Sequence, residues 1–348
     1  MPGFARSALA GAATTARPTV VVSEALRAAP SEGAQVLTCE IAAHVQQTHG
    51  GEALGPRSER SPLFEGVLSG RWFGVRGLLR LARRRRAFLI YVPQHGLTKA
   101  TLLRAMLITL VARPWRLDLV VLQQHTTPPP SLRRFAQSWR FVVATQQQEQ
   151  ALGGQGFVIG RLMPRVPSSK VSTAESKHVA RQRVGWQPGT HYLHVGHARR
   201  GRNLRALAPL TEDGDLHLVL SAYRPVEEGS LPAADGHVDV HRGPCPDLAD
   251  RYRAADVYVF PTFDMNEVIG LPMSVFEALA NGTPVVARRS PALERWQDQA
   301  GITLVDSDAE LLEVAEKTAR AAAGADVLQP AAVATCLADL APCQQGPR

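Results

Sequence analysis

Residues 260–287, FPTFDMNEVIGLPMSVFEALANGTPVVA, decide how the rest of the chain is to be understood. They begin where a buried strand ends: Val257, Tyr258, Val259 and Phe260 are continuously apolar and β-prone, and Pro261 stops them. A polar loop with Asp264, Asn266 and Glu267 follows, then Gly270-Leu271-Pro272. Ser274 reads as the N-cap of a short helix over Val275–Ala280, and Asn281-Gly282 supplies a left-handed end. Thr283-Pro284-Val285-Val286-Ala287 then opens another strand. In a parallel α/β sheet such a strand–loop–helix unit places its loop and helix N-terminus where ligands bind. The helix N-terminus is electropositive and suits phosphate, while a carboxylate beside it suits hydroxyl groups.

At these residues the chain resembles the nucleotide-sugar glycosyltransferases of the GT-B fold, family 4 in particular. That family reads roughly Glu-Gly-Phe-Gly-Leu-Pro, then a helix beginning Glu-Ala, then Gly-Thr-Pro-Val-Val. Here the order is Glu267-Val-Ile-Gly270-Leu271-Pro272, Glu277-Ala278-Leu279-Ala280 and Gly282-Thr283-Pro284-Val285-Val286. The family commonly leaves seven residues between its glutamates, and Glu267 and Glu277 have nine between them. Placing the two extra residues after Pro272 keeps Glu267 in register with Gly270-Leu271-Pro272.

Composition bounds the function. At 45% apolar residues the chain is not wholesale disordered, and 348 residues suit two domains with separate cores. Cys39, Cys245, Cys336 and Cys343 form no C-x-x-C pair and have no histidine at zinc-finger spacing, which predicts free thiols in a reducing, cytoplasmic setting. No apolar run approaches the roughly 20 residues that span a bilayer. The net charge of +8 is uneven: residues 71–86, RWFGVRGLLRLARRRR, hold seven arginines and no acid. A solvated helix face explains such a run, and so does attraction of Arg71–Arg86 to an anionic membrane surface. Nucleic acid is not expected, since no aromatic-rich binding motif accompanies the run.

Taken in order, residues 1–17 predict a disordered start, 18–165 a first Rossmann-like domain, 166–320 a second, and 321–348 a C-terminal segment packing back on the first. Thr19–Val22, Phe88–Val92, Leu117–Leu122, Phe141–Ala144 and Phe157–Ile159 read as strands of the first domain, with 50–70 loop-like. The resemblance puts Glu32-Gly33 where the family has an acceptor-side Gly-Gly loop. It puts His125, just past the strand ending at Leu122, at the cleft near donor sugar and acceptor. The second half restarts at Tyr192-Leu-His-Val-Gly196, followed by His197-Ala-Arg199-Arg200-Gly201-Arg202-Asn203. A strand, a glycine turn, a basic cluster and a helix make a diphosphate site. The family carries Gly-Arg and Lys-Gly here, and Gly196-His197 and Arg200-Gly201 take those places. Gly243, after Val238–Arg242, corresponds to a position beside the base.

The resemblance therefore implies a GT-B architecture of two Rossmann-like domains facing across a cleft. It implies transfer of a hexosyl unit from a nucleotide diphosphate sugar to the hydroxyl of a sugar or lipid-linked acceptor, with retention and with neither metal nor cofactor. Arg200, aided by Arg199, His197 and the Gly196 amide, would stabilise the leaving diphosphate. Glu277 would accept the ribose hydroxyls. Glu267 and the amides of Gly270 and Leu271 would hold the donor sugar. Two alternatives stay open at this stage: another GT-B reaction such as sugar-nucleotide epimerisation, and a non-catalytic paralogue that binds a partner.

Overall fold

The computed structural model describes residues 19–26, 33–49, 51–55, 75–123, 126–164, 166–221, 225–233, 237–264 and 268–322. The expectations at 1–17, Glu32, residues 71–74, His125, Glu267 and 323–348 lie outside the described residues.

The first half builds one parallel sheet. Its elements run β1 (Thr19–Val22), α1 (Gly33–His49), β2 (Glu52–Leu54), α2 (Val75–Arg83), β3 (Phe88–Tyr91), α3 (Lys99–Ala112), β4 (Arg116–Val121), α4 (Leu132–Phe135), β5 (Trp139–Val143), α5 (Gln146–Gly153) and β6 (Ile159–Arg161). The strand order is β2-β1-β3-β4-β5-β6. β1 and β3 are buried along their whole lengths, as a parallel sheet covered on both faces demands. Helix ends are fixed locally. The Thr98 hydroxyl caps α3 through the Thr101 amide, and Thr145 with Gln148 forms a capping box on α5.

The second half repeats the plan with α6 (Lys177–Val184), β7 (His191–Gly196), β8 (Asp215–Leu220), β9 (Val238–Arg242), α7 (Leu248–Ala254), β10 (Val257–Phe260), α8 (Met273–Ala280), β11 (Val285–Arg288), β12 (Ile302–Val305) and α9 (Asp308–Ala322). Its order is β12-β11-β10-β7-β8-β9, again all parallel.

The strand-end edges of the two sheets meet. The Gly270 amide, just before α8, donates to the Leu122 carbonyl just after β4, at 2.8 Å. Gln123 Nε2 donates to the Val268 carbonyl at 3.3 Å, and Arg295 pairs with Glu149 at 2.8 Å. Leu122, Val142, Ala144 and Leu162 from the first sheet share an apolar cluster with Val268, Leu271 and Met273.

Four local expectations need correction. β2 lies inside the stretch read as loop; it is a three-residue edge strand with Glu52 exposed, too short to leave a pattern. The strand expected at Phe157–Ile159 begins at Ile159, because the Phe157 amide still bonds back to the Leu152 carbonyl and Val158 is exposed. The helix expected after Gly201 is a 3-10 run over Leu204–Glu212, where Pro209 removes the donor an α-helix needs. α8 starts at Met273 with Pro272 before it, and the Ser274 hydroxyl bonds the Tyr258 hydroxyl at 2.8 Å instead of capping. Among the described residues Cys39 and Cys245 are free thiols, as expected.

Candidate active site

The site is built at the strand-end edge of the second sheet. β7 ends on Gly196, and the chain turns through His197 and Arg199 into a 3-10 turn over Arg200–Arg202. The Arg202 amide donates to the Arg199 carbonyl at 2.9 Å, which closes the turn. Asn203 follows in the left-handed region at φ 58°, held by bonds of 3.1 Å from its Nδ2 to both carboxylate oxygens of Asp308. The Arg202 carbonyl accepts from the buried Thr262 hydroxyl at 3.2 Å, so the loop after β10 is tied to the same turn.

Gly196 keeps an opening at the centre of this turn. A β-carbon there would stand 3.0 Å from His194 Nε2 and 3.9 Å from Arg202 Nη1. His194 is fully buried and donates from Nδ1 to the Val259 carbonyl at 2.9 Å, so Nε2 is the lone-pair nitrogen. Nε2 has no hydrogen-bond partner within the protein. Burial pushes the His194 pKa down to about 4, with Arg202 and His197 adding to the effect against the Val259 bond. At neutral pH the ring is uncharged and offers an acceptor beneath the arginine turn.

α8 approaches from the other side of β10. The Tyr258 hydroxyl bonds Ser274 Oγ and the Val195 carbonyl at 3.2 Å, fastening the helix start to the end of β7. Glu277 is buried and accepts from the Tyr252 hydroxyl at 3.1 Å. Burial holds its carboxyl above the usual range, opposed by the Lys170 charge and the Tyr252 bond. Asn281 ends the helix and grips the segment between the domains: its Oδ1 accepts from the Ser172 amide, and Nδ2 donates to the Lys170 carbonyl. Gly243, at φ 102°, follows β9 on the same edge, its amide bonded to the Leu220 carbonyl at 3.0 Å. An arginine against a glycine floor, with a buried carboxylate on the helix after the neighbouring strand, suits a diphosphate joined to a hydroxyl-bearing group.

Residues 201–323 match the family model described as "Glycosyl transferases group 1". Over these residues the chain is similar to the group 1 glycosyltransferases. The described residues have the GT-B fold. The chain is similar to the sucrose-phosphate synthase of Thermosynechococcus elongatus, with TM-score 0.60 and 13% identity over 88% of this chain and 92% of that one. WaaG, a glycosyltransferase involved in lipopolysaccharide biosynthesis, gives TM-score 0.58 and 14% identity over 88% and 93%. The α,α-trehalose-phosphate synthase (UDP-forming) of Burkholderia vietnamiensis gives TM-score 0.58 and 12% identity over 88% and 93%. No curated protein sequence matches the chain.

The fold gathers Gly196, His197, Arg199 and Gly243 at the strand-end edge of the second sheet, with Glu277 on the adjoining α8. Two expected contributors are directed elsewhere. The Arg200 side chain is 72% exposed and lies 3.9 Å from Glu227, with Nε toward the Glu228 carbonyl at 3.4 Å. The guanidinium against Gly196 is that of Arg202, which the sequence reading did not nominate. The Gly270 amide has its single proton on the Leu122 carbonyl, so it joins the domains and is not available to a sugar hydroxyl. Leu271 is fully buried at that contact. Gly33 opens α1. His194 was also missed; in sequence it reads as an interior residue of a strand.

Proposed function

We propose that this glycosyltransferase moves a hexosyl unit from a nucleotide diphosphate sugar to an acceptor hydroxyl, with retention and without a divalent metal on the diphosphate. The observation that supports this most is the Arg202 guanidinium set against the Gly196 turn, over a neutral histidine acceptor and across from buried Glu277. When the anomeric carbon–oxygen bond breaks, its electrons leave with the diphosphate. Arg202 and Arg199 meet that charge, with His197 beside them. Glu277 accepts the ribose hydroxyls, its orientation held by Tyr252. Glu267 and His125 keep their assignments to donor sugar and cleft as part of this reading, with Glu32 and Gly33 on the acceptor side.

The acceptor is a sugar or lipid-linked molecule brought to an anionic membrane surface by the first domain. Leu79 on α2 and Leu103 and Leu110 on α3 are exposed large apolar side chains on two helices that pack together, and Trp115 follows α3. Arg80, Arg83, Arg85, Arg86 and Arg113 are exposed on or beside them. Apolar side chains among arginines suit an anionic interface better than water. Among the described residues no helix is long and apolar enough to cross a membrane.

A donor panel tests the assignment. Wild type incubated with nucleotide diphosphate sugars of different base and sugar should release nucleotide diphosphate from one class, faster with acceptor present. No release from any donor, with tight nucleotide binding retained, would favour a non-catalytic binding protein. Conversion of the donor sugar to its epimer would favour the isomerase alternative.

A further inference from the structure

At the opposite edge of the second sheet, parallel register brings together residues far apart in sequence. His191 pairs with Asp215 across β7 and β8, and His217 pairs with Asp239 across β8 and β9. His191 Nδ1 lies 3.1 Å from His217 Nε2 and 3.7 Å from Asp215 Oδ2. One donor atom from each of His191, Asp215 and His217 lies within 4.8 Å of the others. The two histidines are buried, whereas the Asp215 side chain is 41% exposed and opens the group to solvent on one side.

The outer partners fix the tautomers. His191 Nε2 sits 2.7 Å from the Gln187 carbonyl, which can only accept, so that nitrogen carries the hydrogen. His217 Nδ1 sits 3.1 Å from the Asp239 carboxylate and carries its hydrogen for the same reason. Two lone pairs, on His191 Nδ1 and His217 Nε2, therefore face each other at hydrogen-bond distance. Such a pair repels unless a cation stands between them or beside them. An extra shared proton would serve, but it would create a buried imidazolium next to Arg181.

We propose that His191, His217 and Asp215 form a zinc-class divalent metal site, with water as the fourth ligand on the Asp215 side. Tetrahedral zinc with bonds of about 2.0–2.1 Å places ligand nitrogens roughly 3.3 Å apart, close to the separation found here. Rotation of the exposed Asp215 carboxylate completes the triangle. Imidazole nitrogens backed by a carbonyl and a carboxylate are the usual outer shell of a zinc histidine. His237 Nδ1, 3.1 Å from Asp215 Oδ1, supports the third ligand in the same way. The Trp186 ring lies over His217 with 3.7 Å between ring centres and over His191 with 4.9 Å, closing one side of the group. The site stands a strand's length, about 16 Å, from Gly196. Its metal would join the starts of three strands and take no part in transfer.

The test is zinc titration of chelator-stripped, tag-free protein in competition with a chromophoric chelator, with tryptophan fluorescence followed in parallel. Wild type should take up one equivalent per chain, with a fluorescence change that saturates at the same point. His217→Ala and Asp215→Asn should each weaken binding at least tenfold. Asp215→Asn alters a half-exposed side chain and keeps the fold; His178→Ala, a surface histidine outside the group, should leave binding unchanged. Uptake unaffected by Asp215→Asn and His217→Ala would overturn the proposal as scattered surface binding. So would folded wild type that binds no zinc while nitrogen NMR finds one proton shared between His191 and His217. Neither result bears on nucleotide release, so this proposal and the transferase assignment fail separately.

Discussion

Replacing Arg202 by alanine, with Arg200→Ala beside it, separates the arginine that stands against Gly196 from the one that the sequence nominates. A phosphate oxygen seated over Gly196 would lie about 4 Å from the Arg202 guanidinium. At an effective dielectric near 20 that contact is worth about 4 kcal/mol. Only the part that grows as the diphosphate leaves accelerates transfer, and loss of one preorganised donor typically costs about 3–4 kcal/mol, roughly 10²–10³ in turnover. Arg200 is 72% exposed and its nearest acid is 3.9 Å away. A surface pair of that kind is worth about 0–1 kcal/mol, so Arg200→Ala should stay within roughly fivefold of wild type. The backbone bonds of residue 202 survive in alanine, and thermal melting should show both variants folded. The assay is steady-state release of nucleotide diphosphate, run with the best donor of the panel. If Arg202→Ala kept turnover within threefold while Arg200→Ala fell a hundredfold, the geometric assignment would be wrong and the sequence-based one right.

Three further outcomes are expected. Glu277→Gln should weaken nucleotide diphosphate binding in calorimetry yet raise the melting temperature at pH 7.5. The Glu277 pKa is raised by burial, so the folded state holds its proton more tightly and ionisation at high pH costs stability. That cost vanishes below the ordinary carboxylate range, so the melting-point gain should shrink as pH falls toward 4.5; a gain that grew on acidification would contradict the burial argument. Excess EDTA should leave turnover at 25 °C within about twofold, even if it lowers the melting temperature by stripping the histidine site; complete loss restored by manganese or magnesium would put a metal on the diphosphate after all. Changing Arg83, Arg84, Arg85 and Arg86 together to Gln should abolish co-sedimentation with anionic vesicles at low salt, since each basic residue contributes about 1 kcal/mol near such a surface; equal recovery of variant and wild type would return the run to a solvated helix end.

Most of the fold could be read from the chain because the strands are uninterrupted apolar runs. Thr19–Val22 and Val257–Phe260 are found at the expected residues. What escaped was decided by geometry that adjacency does not encode. In the turn over Arg200–Arg202 the Arg202 guanidinium comes back against Gly196, while Arg200 turns toward Glu227. His191 and His217 are separated by 26 positions and meet only through strand register. Gly270 matched the family's pattern of residues, yet its amide is committed to a partner nearly 150 positions earlier in the chain, Leu122.

That contact sets a dimension. A β-carbon at residue 270 would lie 3.0 Å from Ala144 Cβ, from the Leu122 carbonyl oxygen and from Thr145 Cγ2. Ordinary contacts begin some tenths of an ångström farther out, so any other residue would act as a shim driven between the two halves. If the proposed transfer is right, the spacing of the halves is the reach over which a sugar passes from donor to acceptor. A misplacement of about 1 Å between reacting groups can cost about 10²-fold in rate. The working clearance of the molecule is thus gauged by a side chain that position 270 does not have.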